Sequence, residues 1–157
     1  MNSTRTNTIS DFCKIIEVTE GGRKHNIKLN IWDAAGDGNM HNLAHLFVRD
    51  IQVGVLVYSI DSRTSYSNVE PWLQHIAEHN EDYVLFMVGN KSDLTDRRDV
   101  PQNFGNKLVR ENPNAVMYKE TSAFNDVESI MSLFDEIGRA IVRQGKFSKQ
   151  RGSTLLM

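Results

Sequence analysis

Two nearly continuous apolar runs, at residues 53–60 and 83–88, constrain the fold of this chain more than any other feature. A strand with one face in water alternates apolar and polar residues, whereas a strand covered on both faces is apolar throughout. A shorter run of the second kind lies at residues 115–118. These runs predict a mostly parallel sheet with helices packed on both faces.

Helical patterns lie between and after these runs. Apolar residues recur at spacings of three and four over residues 69–76 and 127–141, and a weaker repeat covers residues 104–109. Asn125 and Glu128 resemble a capping box at the start of the last helix. Strands that alternate with helices predict parallel crossovers, and hence an α/β fold.

A hairpin is predicted ahead of the apolar runs. Residues 12–18 and 27–31 have strand character and flank the Gly-Gly pair at 21–22. After the helices, residues 144–157 are polar and mildly basic, which predicts a flexible tail. Residues 1–143 are then predicted to form one domain, since 157 residues are too few for two.

Charge and cysteine usage exclude several classes of protein. Lys and Arg number 18 against 20 for Asp and Glu, so the basic surface of a nucleic-acid-binding protein is absent. No apolar stretch approaches the roughly 20 residues that span a bilayer, and the first residues are too polar for a secretory signal. The single cysteine, Cys13, excludes an internal disulfide and is predicted to be a buried strand residue. We therefore expect a cytoplasmic protein.

Three polar segments follow three of the predicted strands, at the sheet edge where ligands bind in open α/β folds. Asp33 and Gly36 follow the hairpin, where a carboxylate can hold Mg²⁺ through water and a glycine lets phosphate approach the backbone. The sequence Asn-Lys-Ser-Asp follows at 90–93, and Glu-Thr-Ser-Ala at 120–123. Together, in this order, the segments predict a nucleotide site.

The second and third of these segments carry groups that match one base. Asp93 can accept hydrogen bonds from the N1–H and the amino group that guanine presents together. Asn90 can hydrogen-bond to the opposite edge of the guanine base, and the aliphatic stem of Lys91 can cover the face of its ring. The Ala123 N–H can donate to a carbonyl oxygen of the base.

These segments resemble the motifs of Rab-type small GTPases over residues 6–142. The sequence Lys-Leu-Asn-Ile-Trp-Asp-Ala-Ala-Gly resembles the strand that leads into switch II of that family, and further matching segments follow in the family's order at 56–60, 68–73, 89–94 and 120–123. The resemblance implies a P-loop-NTPase-like fold and a guanine-nucleotide switch of vesicle trafficking. It also implies GTP or GDP with Mg²⁺ as cofactors, and Rab effectors or regulators as partners.

The resemblance also implies roles for individual residues. Asp33 would lie near Mg²⁺ and Gly36 near the γ-phosphate. Guanine would be held by five residues: Asn90, Lys91, Asp93, Ser122 and Ala123. The surface read by effectors would contain Phe12, Trp32 and Phe47.

The first strand, the phosphate loop Gly-x4-Gly-Lys-Ser/Thr and the first helix of that family have no counterpart in these 157 residues. The phosphates would therefore lack a cradle of backbone amides, a lysine and the hydroxyl that binds Mg²⁺. The absent strand is central in the family's sheet. We therefore expect the hairpin to lack a partner that joins it to the strand at 53–60, which would leave strand edges exposed.

Two further departures concern hydrolysis and membrane attachment. Asp37 stands where the family has a water-orienting Gln, and a carboxylate repels the γ-phosphate, so we expect very weak or absent GTP hydrolysis. Switch I of the family carries a Thr that binds Mg²⁺. Its counterpart in this sequence is Thr6 or Thr8, depending on which neighbouring residues are matched, and a third match gives Asn7. The family's C-terminal prenylated cysteines are absent, so we expect no direct lipid anchor and endomembrane association only through a partner.

Three interpretations follow. The chain is a Rab-like GTPase-family protein, either an N-terminally truncated product of a longer GTPase or a relative without a phosphate loop. Alternatively, it is a nucleotide-independent interaction protein with a Rab-like surface. The third interpretation is a metal-dependent hydrolase built on His75 and His79 of the sequence His-Ile-Ala-Glu-His, in which no third ligand is evident. We favour an exposed polar helix face for these two histidines, and a place on the switch II surface for His41 and His45, which have the same spacing.

Overall fold

In a computed structural model, the described part of the chain comprises residues 9–34, 48–145 and 153–156. Six strands lie in these ranges: β1 Ile9–Glu20, β2 Arg23–Ala34, β3 Val53–Ser59, β4 Val84–Asn90, β5 Ala115–Glu120 and β6 Ser153–Leu156. The helices there are α1 Arg63–Ser67, α2 Val69–His79, α3 Gln102–Glu111 and α4 Val127–Arg143, with a 3₁₀ turn at Thr95–Arg97.

The six strands form one sheet in the order β1-β2-β6-β3-β4-β5. β1 and β2 pair antiparallel, and the other neighbouring strands pair in parallel. The predicted α/β fold with a mostly parallel sheet is therefore confirmed.

The β1–β2 hairpin forms where the Gly-Gly pair predicted it. Gly21 and Gly22 have φ values of 59° and 75°, and two residues with positive φ suit a turn whose twist matches that of the flanking strands. Pairing extends from Glu20 and Arg23 at the turn to Ile9 and Ala34 at the open end. The hairpin is therefore longer than the sequence pattern indicated.

Two apolar cores lie on opposite faces of the sheet. On one face, Leu29 and Ile31 of β2 pack in a cluster that includes Ile137 of α4. On the other face, Trp72 of α2 and Leu108 of α3 belong to a second cluster. Burial of apolar side chains on both faces explains why β3 and β4 are apolar throughout.

The C-terminal segment differs from the predicted flexible tail. β6, Ser153–Leu156, lies between β2 and β3 and runs parallel to both. It takes the central position that the family resemblance assigned to the absent first strand, so the hairpin does not lack a partner. A four-residue strand next to polar sequence is too short for periodicity to reveal.

Two local predictions were wrong. Cys13 is exposed rather than buried, because it lies opposite Asn30 on the side of the hairpin facing away from α4. The N-cap of α4 is Asp126, whose carboxylate accepts a hydrogen bond from the Ser129 N–H at 3.0 Å, one residue later than the expected cap at Asn125. Asp and Asn are equally good N-cap residues, so sequence alone does not separate adjacent candidates.

Candidate functional site

An open pocket of about 550 Å³ lies where β4 and β5 end. Four of the five residues expected to hold a base line it: Asn90, Lys91, Asp93 and Ala123. The fifth, Ser122, is buried behind the pocket wall. The two loops meet because β4 and β5 are parallel neighbours whose carboxyl ends share one edge of the sheet.

Asn90 connects the two loops through its side-chain oxygen. Its Oδ1 accepts hydrogen bonds from the Ala123 N–H and the Thr121 hydroxyl, each at 3.3 Å. Backbone bonds hold the same loops together, from the Ser92 N–H to the Thr121 carbonyl and from the Thr121 N–H to the Gly89 carbonyl, both at 3.0 Å. These bonds leave the amide nitrogen of Asn90 as the donor that a ligand can use. The Ala123 N–H, by contrast, already donates to Asn90, so it can bind a ligand oxygen only by sharing or breaking that hydrogen bond.

Ser122 fixes the orientation of Asp93. The hydroxyl of Ser122 donates to Asp93 Oδ1. The same hydroxyl oxygen accepts from the Asn125 N–H at 3.3 Å, and the Ser122 N–H donates to Ser129 Oγ at 3.2 Å. A buried serine held in this way keeps the carboxylate at the pocket wall, with its second oxygen available to accept hydrogen bonds.

Lys91 is held in a left-handed backbone conformation, with φ of 63°. Its ammonium group lies 3.7 Å from Asp61, which also lies 3.5 Å from Arg97. A hydrogen bond from the Ser59 hydroxyl lowers the pKa of Asp61, and the two cations lower it further. The ammonium thus contacts a residue that is not part of the pocket lining, whereas Lys91 itself belongs to that lining.

Leu94 and Phe124 also line the pocket and were not predicted from the sequence. Phe124 is 88% exposed, an unusual value for so large an apolar side chain. The available signal was position, since each residue directly follows a predicted motif. A flat aromatic ring bound here can pack on these apolar surfaces while its edge meets Asp93.

A guanine ring fits this set of groups. Asp93 supplies the acceptor for two adjacent N–H groups, Asn90 supplies a donor, and the stem of Lys91 and the ring of Phe124 supply apolar walls. Such a site selects a base by its edge, because a base without the matching donors leaves the carboxylate unpaired.

The expected phosphate and magnesium residues are less completely placed. Asp33 lies exposed near the carboxyl end of β2 and, among the described residues, belongs to no cluster of three metal-ligating side chains. Five other expected site residues lie outside the described residues: Thr6, Thr8, Gly36, Asp37 and Phe47.

The structure does not bring Phe12 and Trp32 together. Phe12 lies directly opposite Ile31, while Trp32 lies opposite Asp11. Directly opposed residues share a face and successive residues alternate, so Phe12 and Trp32 lie on opposite faces of the hairpin. Phe12 is 57% exposed, whereas Trp32 packs against the core formed with α2 and α3.

A hydrogen-bonded network supports the loop after β5. Arg98 donates two bonds to the Glu120 carboxylate, at 2.7 and 2.8 Å. The Tyr118 hydroxyl donates to Glu120 at 2.7 Å and accepts from the Tyr58 hydroxyl at 3.0 Å. The Arg98 guanidinium holds the pKa of Glu120 below its usual value, and burial is the main cause of the raised pKa of Tyr118. Because Glu120 precedes Thr121, this network fixes the start of the pocket loop.

A second cluster lies near the end of α2. His75, Glu78 and His79 each offer a ligand atom within 4.8 Å of the other two, so the third ligand missing from the sequence pattern is Glu78 itself. His79 Nδ1 also lies 2.9 Å from the His75 carbonyl oxygen. All three side chains come from one helix, so the cluster provides one side of a coordination sphere.

None of the described helices is both long and apolar enough to cross a membrane.

Comparison with known proteins gives a consistent result. The Ras family model matches residues 1–143. The chain is 36% identical over 140 residues to the Ras-related protein Rab-10 of Diplobatis ommata, covering 87% of this chain and 68% of that protein. It is 36% identical to Rab-10 of Caenorhabditis elegans over 85% of this chain and 65% of the relative, and 35% identical to human Rab-37 over 72% and 49%. The chain therefore spans about two thirds of the Rab-10 proteins and about half of Rab-37.

Proposed function

The chain belongs to the Ras family of small GTPases and is of the Rab type, and on that premise we propose that these 157 residues recognise guanine but bind the phosphates of GTP and GDP weakly. The observation that carries the proposal is the pocket at the ends of β4 and β5, where Asp93, Asn90 and Ala123 meet. In this account the chain acts in vesicle trafficking through Rab effectors or regulators.

Base recognition is supported by the way the pocket is held in shape. Ser122 and Asp93 are hydrogen-bonded to each other, and Asn90 connects the two loops. A pocket fixed before binding loses little conformational entropy when a base enters.

Weak phosphate binding is supported by the sequence, since no Gly-x4-Gly-Lys-Ser/Thr motif occurs in these residues. A phosphate loop contributes about four or five charge-assisted hydrogen bonds, each worth roughly 1.5–3 kcal/mol. Their absence corresponds to on the order of 7–15 kcal/mol, or about five decades of affinity even after a discount for non-additivity. The base pocket cannot supply that difference.

Hydrolysis is proposed to be very weak for a related reason. Mg²⁺, when bound, supplies charge neutralisation at the phosphates, and Asp33 would be its carboxylate contact through water. Asp37 replaces the amide that would orient the attacking water, and it adds negative charge beside the γ-phosphate. The chain therefore acts through binding rather than turnover.

A second function is supported by the central position of β6. The described sheet has no gap between the hairpin and β3, so strand pairing joins the hairpin to the rest of the sheet. Such a chain can present the exposed Phe12 to a partner protein whether or not a nucleotide is bound. This is the nucleotide-independent, pseudo-GTPase alternative.

The test titrates the folded chain with guanosine and adenosine, monitored by NMR at the amides of Ala123 and Phe124. We expect guanosine to shift these resonances and adenosine to have little effect. Asp93→Asn should weaken guanosine binding by at least about tenfold, because the loss of one charge-assisted bond costs roughly 1.5–3 kcal/mol. Asp96→Asn, in the exposed 3₁₀ turn, is the matched control and should bind normally. Equal response to both nucleosides, or no effect of Asp93→Asn, would contradict base recognition, and a folded chain that binds neither nucleoside would support the alternative.

A further inference from the structure

The groove between β2 and β3 holds a strand from the distant C-terminal segment of the chain. We propose that this groove is a peptide-binding site, that residues 153–156 of the same chain are its bound strand, and that Gln52 selects and clamps that strand. The proposal does not depend on nucleotide binding.

Gln52 binds both main-chain groups of one strand residue. Its N–H donates to the Thr154 carbonyl at 2.9 Å, and its side-chain Oε1 accepts from the Thr154 N–H. The side-chain amide is held in place by its own bond from Nε2 to the Asp50 carbonyl at 2.9 Å. Gln52 thus supplies a donor and an acceptor just ahead of β3, which fixes the register and direction of the inserted strand.

The opposite side of the strand pairs with β2. The register places Ser153 beside Leu29 and Leu155 beside Ile31 in a parallel ladder. Because the main-chain groups of Thr154 face Gln52, those of the residues on either side face β2. The inserted segment is therefore bonded along both of its edges, as in other modes of recognition by strand addition.

Side-chain burial defines the chemistry that the groove accepts. Ser153 and Leu155 are fully buried, whereas Thr154 is only partly buried. Leu155 packs in the α4-side core with Leu29 and Val53. The groove therefore fits an extended peptide with a small residue at the position of Ser153, a residue of moderate size at that of Thr154, and a leucine at that of Leu155.

Connectivity favours the segment of the same chain over that of a second copy. Seven residues, 146–152, separate α4 and its terminal turn from Ser153. A tether of this length gives an effective concentration on the order of millimolar, far above the micromolar concentration of a second copy. The main ligand of the groove is therefore its own C-terminal segment.

Hydrogen–deuterium exchange on the full chain tests the proposal. At monomeric concentration, the amides of Ser153, Thr154 and Leu155 should exchange at least about a hundredfold more slowly than in an unstructured peptide, because all of them are paired or buried. Exchange at unstructured rates would overturn the proposal. Protection that appears only with concentration-dependent dimerisation would overturn the assignment to the same chain.

Substitution of Gln52 tests the clamp. Gln52→Ala removes one acceptor, which should speed exchange of residues 153–156 by about five- to tenfold while β4 and β5 remain protected. Gln74→Ala is the matched control, since the Gln74 side chain bonds only to Glu78 on the exposed face of α2 among the described residues. Equal effects of the two substitutions would overturn the role of Gln52.

Substitutions in the strand test its side-chain selectivity. Leu155→Ala should speed exchange at 153–156 by about thirtyfold or more, because it empties a fully buried site. Thr154→Ala, on the partly buried position, should change exchange by less than about threefold. Equal effects would overturn the selectivity, and the wild-type and Gln52 measurements decide the proposal if Leu155→Ala unfolds the chain.

Discussion

Gly105→Ala should destabilise the protein, although alanine is the better helix former. Gly105 lies in α3, and a Cβ built there would fall 2.2 Å from Tyr118 Cε2 and 2.4 Å from its Cζ. The Tyr118 ring cannot easily retreat. It is stacked on Tyr58 with an interplanar angle of 3°, and its hydroxyl is bonded to both Tyr58 and Glu120.

The magnitude follows from two opposing terms. Overpacking of a rigid core costs about 1–3 kcal/mol, and contacts this short place Gly105→Ala at the upper end of that range. The higher helix propensity of alanine offsets about 1 kcal/mol of this cost. The free energy of unfolding should therefore fall by about 2 kcal/mol, which lowers the melting temperature by roughly 4–8 °C for a chain of this size.

Urea unfolding followed by circular dichroism measures this change. Asn106→Ala, at an exposed position one residue along, is the control for helix propensity and should lie within about 0.5 kcal/mol of wild type. Combining Gly105→Ala with Tyr118→Ala should abolish the additional penalty of Gly105→Ala, because the ring it clashes with is gone. A Gly105→Ala protein as stable as wild type would refute the packing of α3 on β5.

Two further predictions concern charged groups. The pKa of Glu120 is lowered mainly by the hydrogen bonds from Arg98, so the ionised carboxylate stabilises the fold above the unfolded pKa of about 4.5, and this stability is lost as pH falls through the lower folded pKa. Glu120→Gln should lower the free energy of unfolding by about 2 kcal/mol at pH 7 and should flatten its pH dependence below about pH 4.5, as measured by urea unfolding at several pH values. An unchanged acid profile would contradict the pairing of Glu120 with Arg98. If His75 and His79 form only a polar helix face, the purified protein should contain no stoichiometric zinc by mass spectrometry of its metals, whereas one zinc per chain that is lost in His75→Ala would establish the metal interpretation.

Much of the sheet could be predicted from the sequence because its signals are local. The apolar runs that became β3 and β4 are buried on both faces except at Val57, and the Gly-Gly turn fixed the hairpin. The meeting of Asn90, Asp93 and Ala123 at one edge of the sheet was likewise predicted, because the motifs that carry them directly follow strands.

What could not be predicted depends on long-range pairing. β6 has only four residues, and its place in the sheet is set by contacts with β2 and β3, more than 90 residues away in the chain. The separation of Phe12 from Trp32 depends on the register of the hairpin, where a shift of one residue reverses the face of every side chain. Phe124 was missed because exposed aromatic residues carry no periodic signal.

In the function proposed here, the chain binds the base of a guanine nucleotide and gains little affinity from its phosphates. Isothermal titration calorimetry of the folded chain, first with guanosine and then with GTP and Mg²⁺ under the same conditions, compares the two affinities. We expect dissociation constants within about threefold of each other, since few phosphate contacts add to the binding free energy. Binding of GTP several orders of magnitude tighter than guanosine would contradict it.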